Sequence, residues 1–171
     1  INVFWDIFCG GCNVGINIEA KSVRFNDKKI QLIELFKVLQ SKDVKEAIKI
    51  IENIIKKYSL SDTYNNKYNK YSCDSAKGLA DYNRDKYIKL REDYNNYVIK
   101  SNEDINIKNL MLYVLTVYGF NNQLRFNRKG SYNIPVGKRD FNDKARNNFV
   151  NFVKKIKDKN IFFYNEDFRS I

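Results

Sequence analysis

A chain of 171 residues is long enough for one domain with a sizeable core, or for a core with a smaller insertion, but too short for two large independent domains. Its net charge of +11 favours polyanionic partners, because lysines and arginines that neutralise phosphates release counterions, although a solvated lysine-rich surface has the same composition. Three cysteines, no histidine and no apolar run near the roughly 20 residues of a membrane span argue against a zinc site and a membrane partner, and indicate a reduced, cytoplasmic protein.

The first third of the chain predicts alternating strands and helices. The apolar run at residues 2–8 ends at glycines and predicts a buried strand, with a short helix over 14–18. Residues 22–25 predict a second strand. Apolar residues at helical spacing then predict two amphipathic helices, over 30–39 and 44–55.

The rest of the chain adds helices and a hairpin to this pattern. The predicted elements are a polar loop over 59–83, a helix over 87–98, a buried helix over 110–117, a β-hairpin over 118–137 that turns at Gly130, a helix over 140–157 and a strand over 161–164. The order predicts an α/β core that carries a helical and hairpin insertion.

A strand that runs into glycines, DIFCGGC at residues 6–12, is the first candidate site. Glycines there let the backbone approach a ligand closely, and the acid at the strand end accepts hydrogen bonds from a cationic or hydroxyl-bearing ligand. An ordinary strand-to-helix turn has the same pattern. The two cysteines also form a C-x-x-C, which is typical of thioredoxin-like redox sites, so that alternative stays open.

An acid at the end of the next strand, Asp27, narrows the kind of ligand. A carboxylate at this place in an α/β fold can hold both hydroxyls of a ribose. The G-x-G-x-x-G fingerprint of nicotinamide cofactors is absent. The residues therefore favour a nucleoside bound without a pyrophosphate, and S-adenosylmethionine is the commonest such ligand.

Five segments resemble the DNA adenine methylase family, the D12 class of S-adenosylmethionine-dependent DNA adenine-N6 methyltransferases. DIFCGGCNVGIN followed by FNDKKIQLIELF resembles the family's donor-binding segments, and YIKLREDYN resembles its Arg-Glu-x-Tyr-Asn helix. VYGFNNQLRFNRKGSYNIPVGKR is similar to the family's recognition hairpin and is the most specific match; FFYNEDF is similar to the strand whose end contacts the donor's adenine. Only about residues 59–80 match weakly.

The resemblance implies a fold and a division of labour along the chain. The expected fold is a partial Rossmann-like methyltransferase core with an inserted helical and β-hairpin DNA-recognition subdomain. Residues 1–58 would form the donor-binding part, 59–139 the target-recognition insertion, and 140–171 the return to the core. The partner would be double-stranded DNA with a flipped adenine, and a cognate restriction endonuclease is a further expected partner.

The resemblance also implies roles for individual residues. Those expected to bind S-adenosylmethionine are Asp6, Phe8, Gly10, Gly11, Cys12, Asp27 (ribose), Asp167 and Phe168 (adenine). Those expected to bind DNA are Phe120 (wedge in the base stack), Asn121, Asn122, Arg125 (guanine edge), Asn127, Arg128 and Lys129. An arginine fits guanine O6 and N7 in bidentate fashion, and an aromatic wedge compensates for an extruded base.

Two departures from the family pattern set limits on this reading. Cys12 replaces the glycine usual at the end of the turn, so its thiol must fit where the family keeps room for the donor. Pro135 is the only proline, so the Asp-Pro-Pro-Tyr motif is absent and no catalytic residue is assigned. We expect a chain truncated at both ends and inactive alone; the alternative is a non-catalytic DNA-binding module or partner subunit derived from such an enzyme.

Overall fold

The computed structural model describes residues 1–158 and 160–171. They form two compact units, Ile1–Val44 with Phe149–Ile171 (unit 1) and Lys45–Asn148 (unit 2). These bounds differ from the predicted segments 1–58, 59–139 and 140–171, whose functional assignment stays a prediction.

The elements follow the α/β order expected from the sequence. Within the described residues they are β1 Val3–Asp6, β2 Ser22–Asn26, α1 Ile30–Ser41, α2 Val44–Lys57, α3 Ala76–Asn95, α4 Asn102–Tyr118, α5 Asp143–Asp158 and β3 Ile161–Tyr164. The three strands are parallel and lie in the order β1-β2-β3. The predicted α/β fold class is therefore confirmed, and its sheet is small and parallel.

Unit 1 buries one face of this sheet, here called the inner face, which carries Phe25 and Phe163. The two rings stack with centroids 5.5 Å apart. Phe36 of α1 packs on Phe163 at 5.4 Å and on Phe152 of α5 at 5.5 Å. The apolar stripes of α1 and the end of α5 thus meet the sheet at shared aromatic rings, which is why their helical spacing was visible in the sequence.

Unit 2 is organised around buried tyrosines. Tyr87 of α3, Tyr118 at the end of α4, and Tyr132 are fully buried. Each hydroxyl bonds a backbone carbonyl, for example Tyr118 to Ser61 O at 2.6 Å. Burial of an aromatic ring is favourable only when its hydroxyl keeps a partner, so these rings fix loops as well as filling the core. The predicted all-round burial of α4 is confirmed over most of residues 110–117.

The structure corrects three of the predicted elements. Residues 14–18 form only a 3₁₀ turn, Gly15–Asn17, and the helix predicted to run to residue 98 ends at Asn95. The predicted loop 59–83 holds a second such turn, Tyr68–Tyr71, and the start of α3 at Ala76. The sequence did not indicate this regular structure, because the segment is polar. Its buried amides and tyrosine hydroxyls are satisfied by hydrogen bonds, so the segment has no periodic apolar spacing.

The predicted hairpin forms in outline only. Residues 118–137 fold back on themselves, but they pair at isolated antiparallel bridges, Gly119 with Val136 and Phe126 with Tyr132, and not as continuous strands. We call this segment the ribbon. Among the described residues, no helix combines the length and the apolar character that a membrane-spanning segment needs.

Candidate functional site

The carboxyl ends of the three parallel strands lie at one edge of the sheet in unit 1. Strand β1 ends at Asp6, β2 at Asn26 just before Asp27, and β3 at Tyr164 just before residues 165–168. Ligands of open α/β sheets bind outside this edge. The structure therefore brings the residues predicted to bind the donor to one edge of one sheet.

Asn26 joins these strand ends and was not among the predicted site residues. Its buried side-chain amide donates to Ile7 O (3.2 Å) and Glu166 O (3.0 Å), and its side-chain carbonyl accepts from the Glu166 amide (2.8 Å). Its backbone carbonyl accepts from Cys9 (2.9 Å). One side chain thus holds the segments that follow β1 and β3 against β2.

The two acids of the edge shape the glycine turn. The Gly10 amide donates to Asp27 Oδ2 (3.1 Å), the Lys29 amide donates to Asp27 Oδ1 (2.9 Å), and the Gly15 amide donates to Asp6 Oδ2 (3.0 Å). Gly10 has φ +45°, and a Cβ there would meet nothing within 4 Å. The turn therefore presents open backbone beside Asp27, whose oxygens keep further lone pairs for a ligand.

An exposed aromatic pair stands next to the turn. Phe8 is 68% exposed and Phe168 is 50% exposed, and their ring centroids lie 5.3 Å apart. Exposed aromatic side chains at the strand ends offer a flat apolar surface for a base or an aliphatic chain.

Asp167, between the strand end and Phe168, is held by a neighbour. The Arg169 guanidinium donates to both carboxylate oxygens (2.8 and 2.9 Å), and the Arg169 amide donates as well (3.1 Å). These hydrogen bonds, with Lys28 farther off, lower the pKa of Asp167 to about 2. The carboxylate faces solvent already paired, so a bound adenine would share it with Arg169.

We expect Arg169→Ala to raise the pKa of Asp167 toward the ordinary aspartate value of about 3.9. The depressed pKa means that the pair is fully formed above about pH 4 and is lost as pH falls through 2. A carboxylate NMR titration measures the change, and Lys28→Ala, which removes a weaker partner, should raise the value less. An unchanged pKa in Arg169→Ala would contradict the assigned cause.

Cys12 occupies the turn in a left-handed conformation, with φ +61°. That region favours glycine, which gives a physical reason for the glycine expected at this place. A hydrogen bond with Cys9 and burial raise the pKa of the Cys12 thiol, and both side chains are buried. A redox thiol needs a lowered pKa and access, so the geometry argues against the thioredoxin-like alternative.

In unit 2 the ribbon carries every residue predicted to contact DNA. It turns at Asn127–Gly130, where Gly130 has φ +77° and its amide donates to Asn127 O (2.9 Å). The Asn127 side-chain oxygen accepts from the Lys129 and Ser131 amides (2.9 and 3.0 Å). Asn127 therefore builds the turn, while Arg128 and Lys129 are exposed at its tip.

At the base of the ribbon, Phe120 projects from a strained turn. Its side chain is 46% exposed, and both residues after it, Asn121 and Asn122, have φ +53°. The Asn122 side-chain Nδ2 donates to Thr116 O (3.2 Å) near the end of α4, and its side-chain Oδ1 accepts from Arg139 (3.2 Å). Asparagine tolerates the left-handed region, so the pair turns the chain sharply at the exposed ring.

Arg125, predicted to read a guanine edge, is exposed and lies along the ribbon. Its Nε donates to Asn133 Oδ1 (2.9 Å) and its Nη2 to Asn133 O (3.3 Å). These contacts hold the guanidinium in one orientation on the ribbon surface.

Helix α3 holds the returning arm of the ribbon through the Arg-Glu-x-Tyr-Asn segment. The Asn95 side chain accepts from the Tyr132 amide (2.8 Å) and donates to Tyr132 O (3.1 Å), as a neighbouring strand would. Arg91 (3.1 Å) and the Tyr87 hydroxyl (3.2 Å) donate to Ile134 O. The side chains supply the backbone partners that an isolated ribbon lacks.

A buried polar cluster below the ribbon was missed by the sequence reasoning. The Asp140 carboxylate accepts from Ser61 Oγ (3.1 Å), the Thr63 amide (2.8 Å) and Thr63 Oγ1 (2.7 Å). Asn83 accepts from the Ser61 amide (2.8 Å). Tyr118 at the first residue of the ribbon and Asp140 just after its end are therefore both tied to residues 61–63, and such a network specifies one arrangement.

All 171 residues match the model of the D12 class N6 adenine-specific DNA methyltransferase family. The chain is 34% identical to modification methylase StsI of Streptococcus sanguinis (91% of this chain, 20% of that protein) and 29% to type II methyltransferase M.FokI of Planomicrobium okeanokoites (98% and 22%). It is 30% identical to modification methylase LlaI of Lactococcus lactis subsp. lactis (91% and 21%).

The chain spans about a fifth of the length of these relatives. Because the family model covers every residue, the chain belongs to the D12 class N6 adenine-specific DNA methyltransferase family.

Proposed function

We propose that this chain supplies methyl-donor binding and DNA reading for the transfer of a methyl group to adenine N6 in DNA. The observation that carries the proposal is the hydrogen bond from the Gly10 amide to the Asp27 carboxylate at the strand edge, beside the exposed Phe8–Phe168 pair. Open backbone, a carboxylate and an aromatic surface suit the amino-acid, ribose and adenine parts of S-adenosylmethionine in turn. The bound donor supplies the methyl group.

Each residue of the edge has a distinct task in this proposal. Asp27 accepts from the ribose hydroxyls with the lone pairs that Gly10 and Lys29 leave free. Asp6 holds the turn through Gly15 and faces the methionine part of the donor. Phe168 covers the adenine. The buried Cys12 acts through the conformation of the turn.

The proposed DNA surface is the ribbon of unit 2. Phe120 enters the base stack where a flipped adenine leaves a gap, and the Asn121–Asn122 turn orients the ring. Arg125 reads a base edge in double-stranded DNA. Arg128 and Lys129 at the tip meet phosphates, which position the protein without reading sequence.

We expect Asp27→Ala to weaken S-adenosylmethionine binding by about 1.5–3 kcal/mol, because charge-assisted hydrogen bonds to the ribose are lost. Calorimetric titration of the intact chain measures the loss. Asp74→Ala, which removes an exposed carboxylate in unit 2, is the control for charge and should bind as the parent chain does.

Asp27→Ala also removes the acceptors of the Gly10 and Lys29 amides, so circular dichroism must show that this variant is folded. A folded Asp27→Ala chain with undiminished affinity would refute the ribose role. A folded parent chain that does not bind the donor would refute the proposed pocket.

For DNA, we expect Arg125→Ala to relax base discrimination by about 1–3 kcal/mol, whereas Lys129→Ala should weaken binding evenly across sequences and reduce the salt dependence. Selection from a pool of randomised duplexes, followed by titration at two salt concentrations, separates the two effects. Uniform loss of affinity in Arg125→Ala would show that it contacts a phosphate.

The chemical step is not assigned to any residue of this chain. Its one proline, Pro135, excludes an Asp-Pro-Pro-Tyr motif from these 171 residues. This observation supports a second candidate function, a DNA-binding module or partner subunit that works with a catalytic motif from elsewhere. A cognate restriction endonuclease and a cytoplasmic location stay predictions.

A further inference from the structure

Arg125 and Asn133 face each other across the two arms of the ribbon. Phe126 pairs with Tyr132 at an antiparallel bridge, so the next pair away from the turn is Arg125 with Asn133. The Asn133 backbone amide donates to Arg125 O (3.3 Å), which agrees with this register. Residues directly opposite each other in an antiparallel pair have side chains close enough to interact. The contact between the two side chains therefore follows from the pairing of the arms.

The arm that carries Asn133 is anchored on both sides of this residue. Tyr132 before it and Ile134 after it are each 1% exposed. The Asn95 side chain of α3 bonds the amide and the carbonyl of Tyr132, and Arg91 donates to Ile134 O. Asn133 thus has a fixed backbone, from which its side chain reaches the opposite arm.

Asn133 bonds one edge of the Arg125 guanidinium. Nε donates to Asn133 Oδ1 (2.9 Å) and Nη2 donates to Asn133 O (3.3 Å). Nε and Nη2 form one fork of the planar group, while Nη1 and Nη2 form a second fork. In the part of the chain that the structure describes, no hydrogen bond fills the second fork. That fork has the two N–H groups that a bidentate contact with guanine O6 and N7 needs.

The orientation of Arg125 matters because its side chain is exposed. A long exposed side chain has many rotamers, and ordering it on binding opposes association. A guanidinium that is already held pays less of this cost and meets an acceptor in one geometry. Because Asn133 is neutral, it orients the group and leaves the positive charge for the DNA.

We propose that Asn133 is a positioning residue for sequence discrimination, which holds Arg125 so that the fork of Nη1 and Nη2, and not Nε, meets a guanine edge. The inference rests on the proposed role of Arg125 and adds the residue that orients it and the edge that reads the base. The competing role for Asn133 is a direct phosphate contact, which would contribute to affinity and not to discrimination.

The first measurement is made on the intact chain without DNA. Nitrogen-15 NMR records the Arg125 Nε–H signal, which is identified by its loss in Arg125→Ala. The bond to Asn133 should slow the exchange of this proton with water, and Asn133→Ala should remove the protection. Asn133→Asp should restore it, because a carboxylate accepts more strongly from a guanidinium. Unchanged exchange in Asn133→Ala would overturn the proposal.

The second measurement is discrimination at one base pair. The parent chain selects a duplex from a randomised pool, and discrimination is the ratio of its affinities for that duplex and for one changed at the base pair where Arg125→Ala loses its preference. Asn133→Ala should lower this ratio at least about fivefold, the lower limit for a good bidentate contact.

Two further variants separate positioning from direct contact with DNA. Asn133→Asp should keep the ratio while it binds both duplexes more weakly, because its charge repels phosphates. The double variant Arg125→Ala, Asn133→Ala should lose no more discrimination than Arg125→Ala alone, because Asn133 acts through Arg125.

The control is Asn148→Ala, which removes an exposed amide from α5 and should match the parent chain in both measurements. Circular dichroism verifies that each variant is folded. Equal loss of affinity for both duplexes in Asn133→Ala would overturn the positioning role, and so would extra loss of discrimination in the double variant; the role of Arg125 would stand in both cases. If Arg125→Ala keeps full discrimination, or if the parent chain selects no duplex, the proposed function of Arg125 fails and the inference fails with it.

Discussion

Replacement of Asn26 by alanine is expected to lower the free energy of unfolding by about 2–4 kcal/mol and to abolish donor binding. We expect this loss of donor binding to exceed the loss caused by replacing any single residue that is predicted to contact the donor. The side chain makes three hydrogen bonds to backbone groups of Ile7 and Glu166. Alanine leaves those groups without partners in a buried site. The segments after β1 and β3 then lose their common anchor, and the glycine turn moves away from Asp27. Urea unfolding and calorimetric titration measure the two effects.

A matched control for Asn26→Ala is Asn165→Ala at the same strand edge. Asn165 makes one side-chain hydrogen bond, to Asp27 O at 2.7 Å, and is only partly buried. We expect a loss of about 0.5–1.5 kcal/mol, in the range of one ordinary hydrogen bond. Equal losses in the two variants would show that Asn26 is one hydrogen bond among others and not the anchor of the edge.

The parts of the fold that the sequence predicted well share one property, an apolar period matched by burial. Helices α1 and α2 and strands β2 and β3 were expected within a few residues of their observed bounds, because Ile33, Phe36, Ile51 and Phe163 repeat at the spacing of the face they bury. The alternation of strands and helices predicted an α/β core, and the structure adds that its three strands are parallel. The predicted placement of Asp6 and Asp27 at one strand edge follows from the same topology.

The parts that were missed are held by polar groups. Asn26, Asn83 and Asp140 are buried, yet composition alone marks such residues as surface or loop. Only their hydrogen-bond partners, which are distant in sequence, make burial favourable. The start of α3 was predicted as loop for this reason. The ribbon was predicted as a hairpin, but its two arms pair at isolated bridges, and the Asn95 side chain of α3 also bonds the Tyr132 backbone.

Gly137→Ala is the second change expected to have a large effect, through the base of the ribbon. A Cβ at Gly137 would lie 2.5 Å from Gly119 O and 3.0 Å from the Phe120 nitrogen. These are backbone atoms, so no side-chain rotation relieves the overlap. The Gly137 amide also donates to Tyr118 O at 2.7 Å. We expect unit 2 to lose about 3 kcal/mol of stability, at the upper end for an overpacked site, and the chain to lose DNA binding as Phe120 is displaced.

Gly130→Ala separates this steric effect from the general cost of replacing a glycine in the ribbon. A Cβ at Gly130 would meet nothing within 4 Å, but the residue has φ +77°. Alanine there should cost only the left-handed strain of roughly 1–2 kcal/mol and leave the base of the ribbon intact. DNA binding, measured by fluorescence anisotropy with a labelled duplex, should survive in Gly130→Ala and disappear in Gly137→Ala. If Gly137→Ala binds as Gly130→Ala does, the close approach of Gly119 and Gly137 does not position Phe120, and the wedge role must rest on the Asn121–Asn122 turn alone.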